Sequence, residues 1–463
     1  MKEWGKKLQI IGILAIVQIF LLACFFLDPI FPIGLVLIAV VVIVVIDKPL
    51  WGVLLLITSR LLSTGATVFV RIGRIGLGPF EPIFLLCFGA LSIHASKKKV
   101  KIWKKWPWQM PYVVFCIWVF ISLFWSVDSG TGISELLPLG IVFGNTWIIL
   151  TFVRTWKDFK ITLWCWVVTC VLIGVLALLS DSLGIEVGVD FQAASGGGRE
   201  TGLGQQPNWF AMNLMFIIHT CFGMALVEKI RLRRVILICS GLFIFMMMLK
   251  SGSRGGAYAT GIGAFITALA HTGFRQWFGR LILITVGIFS VGIFFDVGNS
   301  ASALIRIGSS FALNQNYRQL NWQSCYEMFV DSSGMGIGAG AYKALLPEYN
   351  NYVAQSLYNY PHGIFWELLA QYGIIGLLIG LWLIWKVWLM IRESSKLAKG
   401  TDAEIFVWSM PAAMLGYVSW SFVEFTITDK PFWEFLSLYT AFYLILLKNN
   451  ENPQNLEWSG EDQ

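Results

Sequence analysis

Charge is what this sequence has least of. Of its 463 residues only 13% are Asp, Glu, Lys or Arg, and 57% are hydrophobic, whereas a soluble globular chain carries about 25% charged residues. That shortage excludes the two or three soluble domains that length alone suggests. Histidine is rare too, with four in the chain. No HExxH, no cluster of carboxylates and no CxxC pair is present, so no metal and no cofactor is expected. Seven of the eight cysteines, all but Cys325, fall in or beside apolar runs, where a thiol behaves as a small hydrophobe, and they give no disulfide framework. A Walker loop is missing, because GSRGG at 252–256 lacks the lysine and the spacing. The chain also lacks an internal repeat of the kind that marks inverted transporter halves. Charges deep within its apolar runs are few, which argues against an ion-coupled transporter with a midplane relay.

What the chain has is long apolar runs. Leu8–Leu27 is twenty residues without a charge, enough at about 1.5 Å per residue to cross a hydrocarbon core of roughly 30 Å. Lys2, Lys6 and Lys7 precede it as in a signal peptide. It has no convincing small-residue cleavage site, and a second run follows at once, so it is expected to be retained. Spans are predicted near 8–27, 30–46, 50–63, 80–95, 110–126, 135–153, 160–180, 208–227, 232–250, 255–271, 279–296, 362–386, 405–424 and 431–447. None alternates polar with apolar as a membrane barrel requires. The expected fold is an all-α polytopic membrane protein of 12–14 transmembrane helices. Residues 1–296 supply the first eleven, with an outer loop near 181–207. A large extracytoplasmic loop containing short helices spans 297–361, the last helices span 362–447, and 448–463 form a tail.

Alternate connections carry the basic residues: 97–105, 154–160, 228–234, 274–280 and 386–399, with Lys2, Lys6, Lys7, Lys48 and Lys448, hold 24 of the 34 Lys and Arg. By the positive-inside rule that side is cytoplasmic, and both termini are expected there. The net charge of +7 therefore reports topology and does not imply a nucleic-acid partner. Ten cations are left in or at the edge of the outer side, where topogenesis disfavours them: Arg60, Arg71, Arg74, Arg199, Lys250, Arg254, Arg306, Arg318, Lys343 and Lys430. Each is either a functional residue or a cation that is solvated at the surface or paired with an outer acid.

Several outer segments are suited to chemistry. In SGSRGG (251–256) Arg254 stands where a helix begins. Helix N-termini attract anions, flanking glycines let a ligand approach the backbone, and a guanidinium fork matches phosphate oxygens. The alternative is an interfacial arginine snorkelling to headgroups. His362 follows Pro361 at the start of a span, where the helix dipole favours a neutral ring able to accept a proton; the alternative is a histidine that hydrogen-bonds a neighbour. Glu367 is five residues on, about 140° around the helix, so the two form no same-face dyad. Arg318 opens a helix in the long loop on which Trp322, Cys325, Tyr326 and Phe329 recur at i, i+3, i+4, i+7, predicting one apolar face. Asn208, at the mouth of the eighth span, and the outer cations Arg199, Arg306 and Lys343 are candidate substrate-binding residues. His219 reads as a packed residue within a span.

Taken in order, SRG (253–255), RQLNW (318–322), GMGIGAGAY (334–342) and PHGIFWELLAQYGIIGLL (361–378) resemble the O-antigen ligase and polymerase family of bacterial membrane glycosyltransferases, from roughly residue 200 to 380. The family often has Asn directly after the histidine, where this chain has Gly363. The resemblance implies a metal-independent transfer of a glycan from undecaprenyl pyrophosphate to an acceptor hydroxyl at the outer membrane face, in surface polysaccharide polymerisation or ligation. Arg254 and Arg318 would hold the pyrophosphate and His362 would assist the acceptor. The implied partners are the lipid-linked oligosaccharide, membrane lipids and other envelope polysaccharide assembly proteins. A transporter of an anionic or polysaccharide intermediate is the competing expectation.

Overall fold

A computed structural model describes residues 30–62, 70–72, 75–77, 80–97, 105–183, 207–270, 315–350, 360–422, 424, 427, 429–450 and 456–458. In chain order the helices are α1 (Ile30–Asp47), α2 (Pro49–Leu62), α3 (Phe80–Ser96), α4 (Gln109–Ser122), α5 (Ser129–Phe152), α6 (Trp156–Leu183), α7 (Pro207–Val227), α8 (Arg231–Lys250), α9 (Arg254–Ala270), α10 (Gln315–Asp331), α11 (Tyr342–Tyr349), α12 (Ile364–Leu397), α13 (Glu404–Ser421) and α14 (Lys430–Lys448). A hairpin of β1 (Val70–Ile72) and β2 (Ile75–Leu77), antiparallel with Val70 opposite Leu77, forms between α2 and α3. All of these helices except α10 and α11 lie on apolar runs of the sequence, and five are long and apolar enough to cross a membrane on length and composition alone. The chain is an all-α polytopic membrane protein. The predicted runs at 8–27 and 279–296 lie outside the described residues.

The centre of the bundle is α7, buried nearly all round, packed with α9 and α13. Small residues bring these helices together. A Cβ on Gly416 would stand 2.3 Å from the Ala259 carbonyl oxygen, and one on Gly263 would stand 2.8 Å from that of Ala412. Close backbone approach of this kind suits helix association in lipid, where burial of apolar surface gives little drive. His219 is buried in this core at 1% exposure. Because α9 and α13 cannot slide without these contacts breaking, the start of α7, the start of α9 and the end of α13 are held together at one end of the bundle.

Helix α12 is broken at Gly373 (φ 65°, ψ −162°), and the break is filled by the glycine loop 334–340. Gly334, Gly336, Gly338 and Gly340 all have positive φ, at 80°, 81°, 91° and 77°, a conformation that side chains rarely adopt. The Ile337 and Gly338 amides donate to the Ala370 and Gln371 carbonyls (2.9 and 3.0 Å), the Ile374 amide donates back to Gly334 (3.0 Å), and the Trp118 indole donates to Tyr372 (2.9 Å). Backbone groups released by a break inside a membrane bundle need such partners. Across the loop, Ser126 donates to the Ala339 carbonyl at 2.7 Å and Gln371 accepts from the Gly340 amide at 2.8 Å.

The long loop does contain the predicted helix, α10, but its buried face differs from the expected one. Asn321, Ser324, Cys325 and Met328 are buried while Tyr326 is 56% exposed. The face is set by polar partners as well as apolar ones: Asn321 donates to the Tyr360 carbonyl (2.6 Å) and accepts from the Tyr342 hydroxyl. Cys325 and Met328 pack with Ile337, Ala341, Tyr342, Leu346 and Ala370. Burial pushes the Cys325 thiol up to about 12, leaving it an inert packing group.

At the opposite end of the bundle the tail returns. Trp458, 3% exposed, donates its indole N–H to Glu228 (3.0 Å) and its amide to Asp402 (2.7 Å), while Lys160 donates to its carbonyl (2.9 Å). It thereby joins the beginning of α6 to the turns after α7 and α12, the same end that carries Lys157, Lys229, Arg231, Arg233, Arg234 and Lys399.

Candidate active site

The site grows from three helix ends. Ser253 accepts from the Gly256 amide at 3.3 Å, capping α9, and donates its hydroxyl proton to the Asn208 amide oxygen at 2.9 Å. Asn208, in the first turn of α7, donates from its other end to Glu424 Oε1 at 2.9 Å. Glu424, just beyond α13, has a side chain only 3% exposed. Its Oε2 is 2.5 Å from Arg318 Nη2, in a pair whose arginine side is 35% exposed. The Tyr360 hydroxyl donates to Oε1 at 3.3 Å. Burial, and then the adjoining Glu424 charge, hold the Tyr360 phenol above its ordinary value, so it is a donor.

Arg254 begins α9, next in sequence to the capping serine, half-buried and within electrostatic reach of both Arg318 and Glu424. Two guanidiniums thus lie within electrostatic reach of one carboxylate. Arg254 stands at the N-terminus of α9, where an anion is favoured.

His362 is placed by α10. The Trp322 indole donates to the His362 carbonyl at 3.1 Å, and Trp322 stacks on Trp366 with centroids 5.8 Å apart. The imidazole lies against the Tyr360 ring at 3.9 Å between centroids, is 4% exposed, and belongs to a residue with φ 53°. A non-glycine residue in the left-handed region is uncommon and recurs at functional sites. Gly363 follows with φ 148°, and a Cβ there would stand 2.4 Å from the Phe422 carbonyl oxygen. The Asn that the family often has after its histidine has no room here in this backbone conformation. Glu367 turns away from the imidazole to accept from the Ile427 amide at 2.9 Å.

Of the predicted residues, Arg254, Arg318 and His362 are brought to one region, with Asn208 among them. Lys343 is exposed on α11, outside this cluster. Arg199 and Arg306 lie outside the described residues. Glu424, Tyr360 and Ser253 were not visible from sequence as site residues. The one available signal was the acid at the end of the α13 run, on the side where cations are rare.

A family model described as O-antigen ligase matches residues 238–381. That stretch is similar to the family across α9, α10, the glycine loop and the first part of α12, and so includes Ser253, Arg254, Arg318, Tyr360 and His362. Asn208 and Glu424 lie outside it. No protein of curated function matches the chain.

Proposed function

We propose that the chain is a glycosyltransferase that moves a glycan from undecaprenyl pyrophosphate to an acceptor hydroxyl on the outer face of the cytoplasmic membrane, as a surface polysaccharide polymerase or ligase. The observation that carries this is the convergence of Arg254 and Arg318 on one carboxylate, with His362 one ring away. The O-antigen ligase match over that stretch supports it.

In the proposed step the acceptor oxygen attacks the anomeric carbon and the bond from that carbon to the diphosphate oxygen breaks. The departing diphosphate keeps the electron pair and gains one negative charge, which Arg254 and Arg318 offset. The acceptor proton passes to the His362 imidazole. Arginines do here what a metal would do elsewhere: they stabilise charge that develops on the leaving group. Asn208 and Ser253 hold the base of the cluster. Arg199, Arg306 and Lys343 are proposed to contact outlying parts of the substrate. The Lys- and Arg-rich end with Trp458 is assigned to the cytoplasm, which puts the cluster at the outer surface.

Purified protein incubated with lipid-linked repeat units and sized by gel tests the reading. A growing ladder identifies a polymerase, and donor consumption only with a separate acceptor identifies a ligase. Arg254→Ala and His362→Ala are each expected to lower either activity by about 10²-fold or more. Wild-type product from a folded Arg254→Ala protein, or flux of intact substrate through vesicles without bond cleavage, would overturn it.

A further inference from the structure

We infer that Glu424 is a positioning residue for this transfer, one carboxylate that sets the arginine for the diphosphate and the histidine for the acceptor relative to each other. The inference rests on the function proposed above. It starts from a difficulty: a carboxylate beside the docking place of a diphosphate repels the very ligand that the arginines attract. The side chain is nevertheless sunk in the protein, 3% exposed, at the focus of the polar contacts.

Its two oxygens face in two directions. Oε2 takes Arg318 Nη2 at 2.5 Å. Oε1 takes the Tyr360 hydroxyl at 3.3 Å and Asn208 Nδ2 at 2.9 Å. Beyond Tyr360 lies the His362 ring, 3.9 Å away between centroids. The path from guanidinium to imidazole therefore runs through one buried anion and one phenol. Arg318 and His362 are carried by separate elements, α10 and the segment before α12. Glu424 comes from a third, the end of α13; α10 holds the backbone of 360–362 through Asn321 and Trp322, and Glu424 joins the guanidinium itself to the ring behind which the histidine sits. Fixing two reacting partners in relative position lowers a barrier with no gain in ground-state affinity.

This assigns Glu424 effects of opposite sign on binding and turnover. Glu424→Gln keeps the shape and removes the charge, so the diphosphate should bind more tightly while Arg318 and Tyr360 lose their common anchor. In the purified full-length protein acting on lipid-linked repeat units, kcat is expected to fall about tenfold or more while the donor KM falls severalfold. Calorimetry with inorganic pyrophosphate should show the same tightening without turnover. Tyr360→Phe, which keeps the ring against His362, should lose a smaller part of kcat. In the Glu424→Gln/Tyr360→Phe double variant the two losses should not add, because they interrupt one path.

A merely structural role predicts a lowered melting temperature, fewer active molecules, unchanged KM and additive losses; that pattern overturns the inference. So does wild-type kcat in Glu424→Gln when Arg254→Ala is inactive, which leaves the transfer reading standing. Full turnover by Arg254→Ala removes that reading and the inference with it.

Discussion

Arg60 and Arg318 both pair with carboxylates near the junction of α13 and α14, and the two pairs are built differently. Arg60 meets Glu434 at 3.3 Å with side-chain exposures of 9% and 2%, lies 3.4 Å over the Phe80 ring, and shares its acid with Asn145 at 3.1 Å. Lys430 beside it meets Glu81 at 3.8 Å. Two cations there face two acids, and the charge is used up inside the protein. At the other pair Arg318 is 35% exposed, and Arg254 brings a second cation within electrostatic reach of Glu424. An arginine enclosed by its own acid is a strut. An arginine left partly open, with a second arginine beside it, is available to an anion.

The sharpest way to test that contrast is to break each pair and compare stability with turnover. Glu434→Ala strands a buried guanidinium and should destabilise the protein by about 3–5 kcal/mol, read as a shift in thermal unfolding of the detergent-solubilised protein. A loss below about 1 kcal/mol would erase the distinction between strut and site. Arg254→Ala should do the reverse, lowering turnover by about 10²–10³-fold, or roughly 3–4 kcal/mol of barrier, with an unfolding curve close to that of the parent. A third variant separates the site from its scaffold. Gly373→Ala would place a Cβ 2.3 Å from the Gly334 carbonyl oxygen at φ 65°, and should destabilise the protein by about 1–3 kcal/mol. Hydrogen exchange should then quicken in 334–340. The smallest effect belongs to Lys430→Ala, which removes a long, partly exposed ion pair and should change stability by no more than about 1 kcal/mol.

The fold is legible in the sequence because a run of about 20 apolar residues has few alternatives to a helix in lipid. Arg254, Arg318 and His362 stand out because cations and imidazoles are rare on the side to which they are assigned. Glu424 does not stand out. An acid at the end of an apolar run reads as an ordinary flank, and its pairing with Arg318 spans 106 residues, a distance that local pattern does not bridge. The buried face of α10 fails for a related reason. Periodicity finds the helix, but the choice between Tyr326 and Met328 is made by the surface it meets, where Asn321 finds both Tyr360 and Tyr342. The break in α12 was invisible for the same cause, since Gly373 is one glycine among many until the loop that fills the gap is known.

Anyone attaching a reporter to this protein should note where the indole of Trp458 is lodged. A fluorescent or affinity module spliced on ahead of residue 456 would delete the plug that joins Glu228, Asp402 and Lys160. The fusion would then loosen the ends of α6, α7 and α12 that meet there before any assay began, so the seam belongs downstream of that tryptophan.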